Sequence, residues 1–258
     1  MLRTRVIPSL LIENGDLVKG CQFKNHRYVG DPINVVRIFN EKEVDELVFL
    51  DISATKRGVI DYEIIRDIAS EAFMPFSYGG GIMDVSQIEK LFKIGVEKVV
   101  INSVAHQNPQ FIKDAVKIAG SQSIVLSMDV KKTLLGSYEV YTQNASFRTK
   151  INPVDYAKRM QELGVGEIIL CSVDREGTGK GYDLKLLKSV ASIQDIPVVA
   201  LGGASSIDDF RQAIDIGMAS AVAAGDMFIF YGKHKAVLAN YPSYSELEKI
   251  FSEGNVND

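Results

Sequence analysis

Residues 74–81 read Met-Pro-Phe-Ser-Tyr-Gly-Gly-Gly, and residues 196–203 read Ile-Pro-Val-Val-Ala-Leu-Gly-Gly. Each stretch is a short apolar run that follows a proline and ends in consecutive glycines, as a buried strand with a tight turn at its end would. The two stretches lie 122 residues apart, about half of the 258-residue chain. A second pair, residues 44–51 and 165–172, repeats at an offset of 121. The sequence therefore predicts two related halves, each built of several strand–helix units.

Eight apolar runs alternate with amphipathic stretches along the chain. The predicted strands cover residues 5–12, 46–52, 75–78, 98–101, 123–130, 167–172, 197–201 and 220–223. The predicted helices cover residues 33–44, 62–73, 85–94, 109–119, 154–163, 184–192 and 207–216. Continuously apolar strands that alternate with helices are typical of a parallel barrel. We therefore predict an α/β fold, a (β/α)8 TIM barrel formed by one domain over residues 1–258; an open doubly wound sheet is the structural alternative.

Composition argues against several classes of function. The net charge is −4 and no basic run is present, so we expect no nucleic-acid partner. No apolar run approaches the roughly 18 residues of a membrane span, and the N-terminus lacks a signal-peptide pattern. The two cysteines, Cys21 and Cys171, are predicted to be free thiols in a reducing compartment. We expect a cytoplasmic protein, and the sequence contains no cofactor motif and no metal-ligand spacing.

Small residues gather where predicted strands end. In a parallel barrel these ends share one face, where backbone N–H groups of small residues can approach a phosphate closely. A short helix that starts near Gly225 would add its N-terminal dipole. Because the halves repeat, we predict two phosphate sites on opposite sides of the barrel mouth; glycines that serve only as turns are the alternative. The first set is Gly79, Gly80, Gly81, Asn102 and Ser103, and the second is Gly202, Gly203, Ala224 and Gly225.

Ionisable residues also follow predicted strands. Lys19 and Asp174 follow the first and sixth strands, Asp51 lies at the end of the second, and Asp129 interrupts the apolar run at the end of the fifth. A partly desolvated carboxylate at that position has a raised pKa, which suits proton transfer. We therefore predict that Asp129 is a catalytic acid or base; a structural carboxylate paired with Lys131 or Lys132 is the alternative. The long segments 20–32 and 133–151 are candidate lids over this face.

Charged residues begin four of the strands. Arg5, Glu46, Lys98 and Glu167 stand at the starts of the first, second, fourth and sixth strands. These starts share the opposite face of a barrel, its floor. The four charges form either a salt-bridged plug or a gate that a small neutral molecule can cross.

The chain resembles the HisF family, the cyclase subunits of imidazole glycerol phosphate synthase, over nearly its whole length. The resemblance is carried by residues 45–52, 79–82, 166–170, 172–178 and 220–224. It implies a partner glutaminase of the HisH type at the barrel floor, whose ammonia crosses the barrel and attacks a bis-phosphorylated aminoimidazole-carboxamide ribonucleotide. The products would be imidazole glycerol phosphate and an aminoimidazole-carboxamide ribotide.

The resemblance also implies residue roles. It assigns Arg5, Glu46, Lys98 and Glu167 to the ammonia gate, and it makes Asp129 a catalytic aspartate. Lys19 corresponds to a substrate-binding lysine; Asp51, Asp174 and Glu176 are further substrate-binding candidates, Glu176 in place of the family's aspartate. Gly81, Asn102 and Ser103 correspond to one phosphate site, and Gly177, Gly203, Ala224 and Gly225 to the other.

One residue departs from the family pattern. A second catalytic aspartate is expected at the end of the first strand, where this chain has Leu11, and leucine cannot transfer a proton. Three functions therefore stay open. The first is the histidine-pathway cyclase. The second is a HisF-like paralogue that passes ammonia to a separate amidotransferase for an acetamidino sugar of surface polysaccharide, and the third is a non-catalytic activator of the glutaminase.

Overall fold

Eight parallel strands close into a barrel in a computed structural model that describes residues 4–232 and 234–252. Neighbouring strands pair in parallel around the ring, and the circle is closed by β7 with β10 and by β12 with β1. The barrel strands are β1 (Arg5–Glu13), β4 (Leu47–Asp51), β5 (Phe76–Gly79), β6 (Lys98–Ile101), β7 (Ile124–Lys132), β10 (Glu167–Ser172), β11 (Val198–Leu201) and β12 (Ala221–Ala224). The predicted (β/α)8 barrel is confirmed, and the open sheet is excluded because the ring closes.

The remaining strands form hairpins outside the ring. They are β2 (Asp16–Cys21), β3 (Lys24–Gly30), β8 (Tyr138–Thr142), β9 (Phe147–Arg148), β13 (Phe230–Tyr231) and β14 (Ala236–Val237). Each of the two long segments predicted as lids thus contains antiparallel strands. The reason is that β1 and β7 run beyond the barrel rim, where their backbone groups pair antiparallel with β2 and β8.

Helices surround the barrel. They are α1 (Pro32–Glu41), α2 (Ile52–Arg57), α3 (Tyr62–Glu71), α4 (Val85–Ile94), α5 (Ser103–Gln107), α6 (Gln110–Ala119), α7 (Pro153–Glu162), α8 (Leu184–Ala191), α9 (Ile207–Asp215), α10 (Asp226–Ile229) and α11 (Tyr244–Ser252). Side-chain oxygens cap several of them; Asp31 accepts from the Asn34 amide at α1, for example. By contrast, α5 and α10 start directly after Asn102 and Gly225 without a side-chain cap. Within the described ranges, none of these helices combines the length and apolar character needed to cross a bilayer.

Two apolar clusters stabilise this architecture. Side chains alternate along each strand, so on β1 Val6 and Leu10 face the helices while Ile7 faces the barrel interior. Burying an aliphatic side chain of this size contributes roughly 1.5–3 kcal/mol. The interior cluster consists of Ile7, Val48, Val100, Val125, Ile169, Cys171, Val199, Leu201, Ala221 and Ala223. It fills the barrel between the floor and the mouth.

Candidate functional site

A cavity of about 450 Å³ opens at the barrel mouth, on the side of β4 to β7. All five residues of the first predicted phosphate set line it, Gly79, Gly80, Gly81, Asn102 and Ser103, together with Asp51 and Asp129. Leu11 lines the same cavity. Its size is that of a pocket for a small organic molecule.

The backbone conformation and close neighbours of Gly80 and Gly81, directly after β5, leave no room for a side chain. Gly81 has φ +68°, and a Cβ on it would lie 3.0 Å from the Ala54 carbonyl oxygen. Gly80 has φ +127°, and a Cβ on it would lie 2.2 Å from the Asp51 carbonyl oxygen. Gly80 and Gly81 therefore do form a tight turn, which is the role that the alternative interpretation assigned to them. The same turn also places this backbone along the cavity wall, so it is compatible with the predicted phosphate site.

Asp129 lies at the centre of a polar network. Asn102 Nδ2 donates to Asp129 Oδ2 and to the Ser127 carbonyl oxygen, each at 3.0 Å. Burial raises the pKa of Asp129 to about 7, although the Asn102 hydrogen bond and the charge of Lys131 oppose this shift. A carboxyl group with this pKa is able to exchange a proton near neutral pH.

The alternative pairing of Asp129 with a lysine is not what the structure contains. The Lys131 ammonium donates to the Ala145 carbonyl oxygen at 2.8 Å and lies over the Tyr141 ring. The Lys132 ammonium lies over the Tyr138 ring. Because both lysines are engaged elsewhere, Asp129 is a buried carboxyl without a paired cation among the described residues.

Asp51 is occupied by local structure. Its Oδ1 accepts from the Ala54 amide and the Ser53 hydroxyl, each at 2.7 Å, and its Oδ2 accepts from Tyr78 at 3.3 Å. The residue caps α2 and so holds the loop beside Gly81 in place. Its predicted substrate-binding role stays a prediction.

The other half of the mouth is filled by an ionic cluster. Lys19 is 5% exposed; its ammonium contacts the buried Glu176 carboxylate and lies 3.6 Å from Asp226 Oδ1. Burial opposes the charge on Lys19, but the two carboxylates outweigh it and raise its pKa. Lys19 therefore stays an ammonium ion inside this cluster.

The second predicted phosphate set surrounds this cluster and does not line the cavity. A Cβ on Gly225 would lie 2.5 Å from the Lys19 ammonium, and one on Gly177 would lie 2.6 Å from the Gly20 carbonyl oxygen. A Cβ on Gly203 would lie 3.0 Å from the Arg175 Cβ. Ala224 points outward into the core between barrel and helices. Other parts of the chain therefore lie against the three glycines of this set.

The β2–β3 hairpin covers this half. The Gln22 amide donates to the Glu176 carbonyl oxygen, and its side chain donates to the Asp174 carbonyl oxygen, each at 2.9 Å. Asp174 is exposed, and its carboxylate accepts from the Lys132 amide at 2.7 Å. The hairpin turn places Gln22 and Phe23 at φ +51° and +62°. Phe23 packs against the interior cluster, which offsets the strain of this left-handed backbone.

The four floor charges form a closed ring. Arg5 pairs with Glu46 at 2.6 Å and with Glu167, and Lys98 pairs with Glu46 at 3.1 Å and with Glu167 at 2.9 Å. The Ser77 hydroxyl donates to Glu46 at 3.0 Å. Burial opposes ionisation of Glu167, but Arg5 and Lys98 outweigh it and lower its pKa. Two positive and two negative charges therefore alternate directly below the apolar interior.

Sequence reasoning missed several residues of the mouth. Phe23, His26, Lys56 and Asn144 line the cavity, and Asp226 belongs to the Lys19 cluster. They lie on hairpins and in helix turns whose positions depend on the closed barrel. The only available signal was the length of the two segments after the first and fifth strands. No group of three or more potential metal ligands occurs in the part of the chain that the structure describes.

Comparison with known proteins agrees with this architecture. Residues 5–235 match the family described as "Histidine biosynthesis protein". The chain is 47% identical over 253 residues to a Leptospira interrogans protein named "Putative imidazole glycerol phosphate synthase subunit HisF", covering 97% of this chain and all of that protein. It is 47% identical over 249 residues to the "hisF2" subunit, likewise named putative, of Pseudomonas aeruginosa, covering 96% and 99%. It is 41% identical over 229 residues to the HisF subunit of Alkaliphilus metalliredigens, covering 88% and 91%. The chain therefore belongs to the HisF family of histidine biosynthesis proteins.

Proposed function

We propose that this chain is the ammonia-accepting subunit of a glutamine-dependent synthase. One arrangement carries the proposal: the ionic ring at the floor, the apolar interior and the Asp129 cavity follow one another along the barrel axis. Ammonia would enter at the ring and leave at the mouth.

A glutaminase subunit at the floor would supply the ammonia. The relatives are named as subunits of a synthase, which implies a partner. The loops that precede the barrel strands form the floor, and two of them expose large apolar side chains: Phe73 before β5, and Ile216 and Met218 before β12. Exposed apolar groups of this kind favour protein contact over solvent.

The barrel interior favours neutral ammonia over ammonium. The ring carries no net charge, and the cluster above it is aliphatic apart from the Cys171 thiol. A charged ion that enters such surroundings loses its hydration without a fixed counter-charge, whereas a neutral molecule loses far less. The interior would therefore keep ammonia in its nucleophilic form.

The reaction implied by the family is cyclisation of the bis-phosphorylated ribonucleotide to imidazole glycerol phosphate. Asp129 would carry a proton to or from the reacting atoms, since it lines the cavity and its pKa is near 7. The position expected to hold the second carboxylate is Leu11, in the same cavity wall. Loss of one member of an acid–base pair typically costs on the order of 10²–10⁴-fold in rate.

Leu11 favours a second candidate, delivery of ammonia to a separate amidotransferase that forms an acetamidino sugar. Two relatives at 45–47% identity carry the numbered names hisF2 and hisF3, whereas relatives named HisF without a number or qualifier are 41–42% identical. A numbered name fits an additional copy of the gene with a separate acceptor. These names support the ammonia-delivering paralogue. The activity assay described next distinguishes it from the cyclase.

The first experiment separates the two enzymatic candidates. Purified chain is supplied with ammonium salt at pH 8 and the histidine-pathway ribonucleotide, and imidazole glycerol phosphate is measured. Turnover at a rate that sustains many cycles supports the cyclase. No product at stoichiometric enzyme rejects the cyclase and leaves ammonia delivery or activation of the glutaminase alone.

The second experiment tests passage through the barrel with a matched pair of variants. Ala221→Leu adds bulk to the interior cluster, and Ala200→Leu adds the same bulk to the outer core, where the side chain is equally buried. Both variants should lose about 1–3 kcal/mol of stability. Only Ala221→Leu should lower the ratio of glutamine-driven to ammonia-driven product, measured with whichever acceptor the wild type supports. Equal ratios in both variants, together with an unchanged ratio in Lys98→Glu, would instead indicate a non-catalytic activator of the glutaminase.

A further inference from the structure

We propose that Asp45 and Tyr241 are positioning residues for the ionic ring at the barrel floor, because they fix the backbone beside Arg5 and Glu46. Neither residue is one of the four charges of the ring. The inference rests on the proposed function, since the position of the ring matters to ammonia only if ammonia enters the barrel there.

Asp45 connects the two chain segments whose charges pair in the ring. It directly precedes Glu46, and its Oδ2 accepts a hydrogen bond from the Val6 amide at 3.0 Å. Val6 directly follows Arg5, whose guanidinium pairs with Glu46 at 2.6 Å. The Asp45 carboxylate thus binds the backbone next to Arg5, while its own backbone carries Glu46.

The backbone pairing between β1 and β4 does not reach this level of the barrel. Among the residues that the structure describes, the paired positions begin with Ser9 opposite Val48, above the ionic ring. Pro8, directly before Ser9, has no N–H to donate. The Asp45 carboxylate therefore takes the place of a strand partner for the floor end of β1 on this side.

Tyr241 holds the same point of β1 from the other end of the chain. Its hydroxyl donates to the Val6 carbonyl oxygen at 2.8 Å and lies 3.3 Å from Asp45 Oδ2. Its side chain is buried, and the centroid of its ring lies 5.3 Å from that of the Phe228 ring in the outer core. Because packing fixes the ring, the hydroxyl has a fixed position. Side chains thus bind both the N–H and the carbonyl oxygen of Val6.

The guanidinium of Arg5 has to reach two partners at once. It pairs with Glu46 and with Glu167, and its side chain is 31% exposed, whereas both carboxylates are buried. A forked guanidinium holds carboxylates only within a narrow geometry, so a shift of the Arg5 backbone breaks one of the two contacts. The hydrogen bonds on Val6 prevent that shift. Without them, we expect the ionic ring to be incomplete for part of the time.

The test compares two buried tyrosines. Tyr241→Phe removes the hydrogen bond to Val6, and Tyr182→Phe removes a hydrogen bond of 2.9 Å from the Tyr182 hydroxyl to the Ala223 carbonyl oxygen. Both variants should show a similar decrease in the urea midpoint. Only Tyr241→Phe should accelerate exchange of the Arg5 guanidinium protons with water, by about fivefold, the change in an equilibrium that one hydrogen bond typically supports. NMR measures this exchange, and Arg5→Lys assigns the signal.

Two outcomes would overturn the proposal. One is unchanged Arg5 exchange in Tyr241→Phe. The other is equal acceleration in Tyr182→Phe, because the effect would then reflect general stability and not the position of Arg5. Asp45→Ala removes the other hydrogen bond on Val6 and should also accelerate the exchange, so it provides an independent check if Tyr241→Phe folds poorly.

A second measurement connects the position of the ring to ammonia. With the glutaminase and the acceptor that the wild type supports, Tyr241→Phe should raise the amount of glutamine consumed per product, because ammonia that meets an incomplete ring escapes to solvent. Tyr182→Phe should not raise it. Faster Arg5 exchange with an unchanged ratio would reject ammonia entry at the ring, which belongs to the proposed function, and would still support the positioning of Arg5.

Discussion

Leu11 and Asp129 line one cavity from strands four positions apart in the eight-stranded ring, so they face each other across the barrel mouth. One wall thus carries a buried carboxyl group with a pKa near 7, and the opposing wall carries an aliphatic side chain. Of positions 11 and 129, only position 129 carries a group that can transfer a proton. The burial of Asp129 affects the stability of the fold as well as its chemistry.

Asp129→Asn should change the pH dependence of stability. Because the folded-state pKa of Asp129 is raised from about 4 to about 7, its contribution to stability is complete below pH 4 and is lost as pH rises to 7. Relative to the variant, the wild type should therefore lose up to about 4 kcal/mol between pH 4 and pH 8. Urea unfolding at both pH values measures this, with the exposed Asp215→Asn as control. A variant that tracks the wild type at both pH values contradicts the raised pKa.

Lys98→Met should destabilise the floor. The change leaves Glu46 and Glu167 buried with Arg5 as their shared cation, and removing one partner from such a network costs about 3–5 kcal/mol. The cost should shrink as pH falls through the lowered pKa of Glu167, since protonation removes the unpaired charge. Urea unfolding at pH 7 and pH 4 checks both statements. Lys98→Arg keeps the charge and should retain most of the stability; equal losses in both variants would point to packing instead.

Gly81→Ala and Gly58→Ala form a matched pair. Both glycines have nearly the same left-handed φ, +68° and +66°, but only Gly81 faces a neighbour, Ala54, whereas nothing lies within 4 Å of a Cβ on Gly58. Each change should cost about 1–2 kcal/mol for the backbone, and Gly81→Ala should cost about 1 kcal/mol more for the contact. Thermal unfolding compares them. If Gly58→Ala proves the more costly, the close approach at Gly81 is refuted.

Phe23→Asn should loosen the β2–β3 hairpin. Asparagine tolerates the left-handed backbone, so the change removes the contact with the interior cluster without adding strain. We expect hydrogen exchange of the amides in residues 21–26 to accelerate by about tenfold, since the lost burial is worth over 1 kcal/mol. Tyr28→Asn removes an exposed aromatic side chain from the same hairpin and should have no such effect. Unchanged exchange in Phe23→Asn would mean that the Gln22 hydrogen bonds alone hold the hairpin.

Phe73→Ser should weaken association with the glutaminase. Phe73 is 87% exposed on the floor, so its replacement should leave the stability of the isolated chain within about 0.5 kcal/mol. Truncating a central apolar anchor typically costs over 1 kcal/mol of binding, about tenfold in Kd or more. Leu134→Ser alters a fully exposed residue in the turn that follows β7, on the mouth side. If Leu134→Ser weakens association and Phe73→Ser does not, the partner docks at the mouth instead.

The sequence predicted the barrel because its pattern is local and repeated. The barrel strands begin and end within one residue of the predicted bounds, except the fifth, whose β7 continues two residues past residue 130 to Lys132 and pairs with β8. Asp51 and Asp129 could be placed at one face because they lie at the ends of the second and fifth predicted strands, which run in the same direction. The expectation that residues 1–258 form one domain stays a prediction. The two hairpins escaped notice because antiparallel pairing beyond the rim requires β1 and β7 to be already fixed.

By itself the sequence determined which ends of the strands carry charge, glycine or carboxyl groups, since strand direction in a parallel barrel sends each end to a known face. Tertiary structure alone decided what those groups meet. Lys19 and Glu176 are 157 residues apart and come into contact only when the ring closes and the hairpin folds over it. Asp226 joins them from a short helix after the last barrel strand. Whether a rim pocket is open or already filled depends on such distant contacts, which no local pattern encodes.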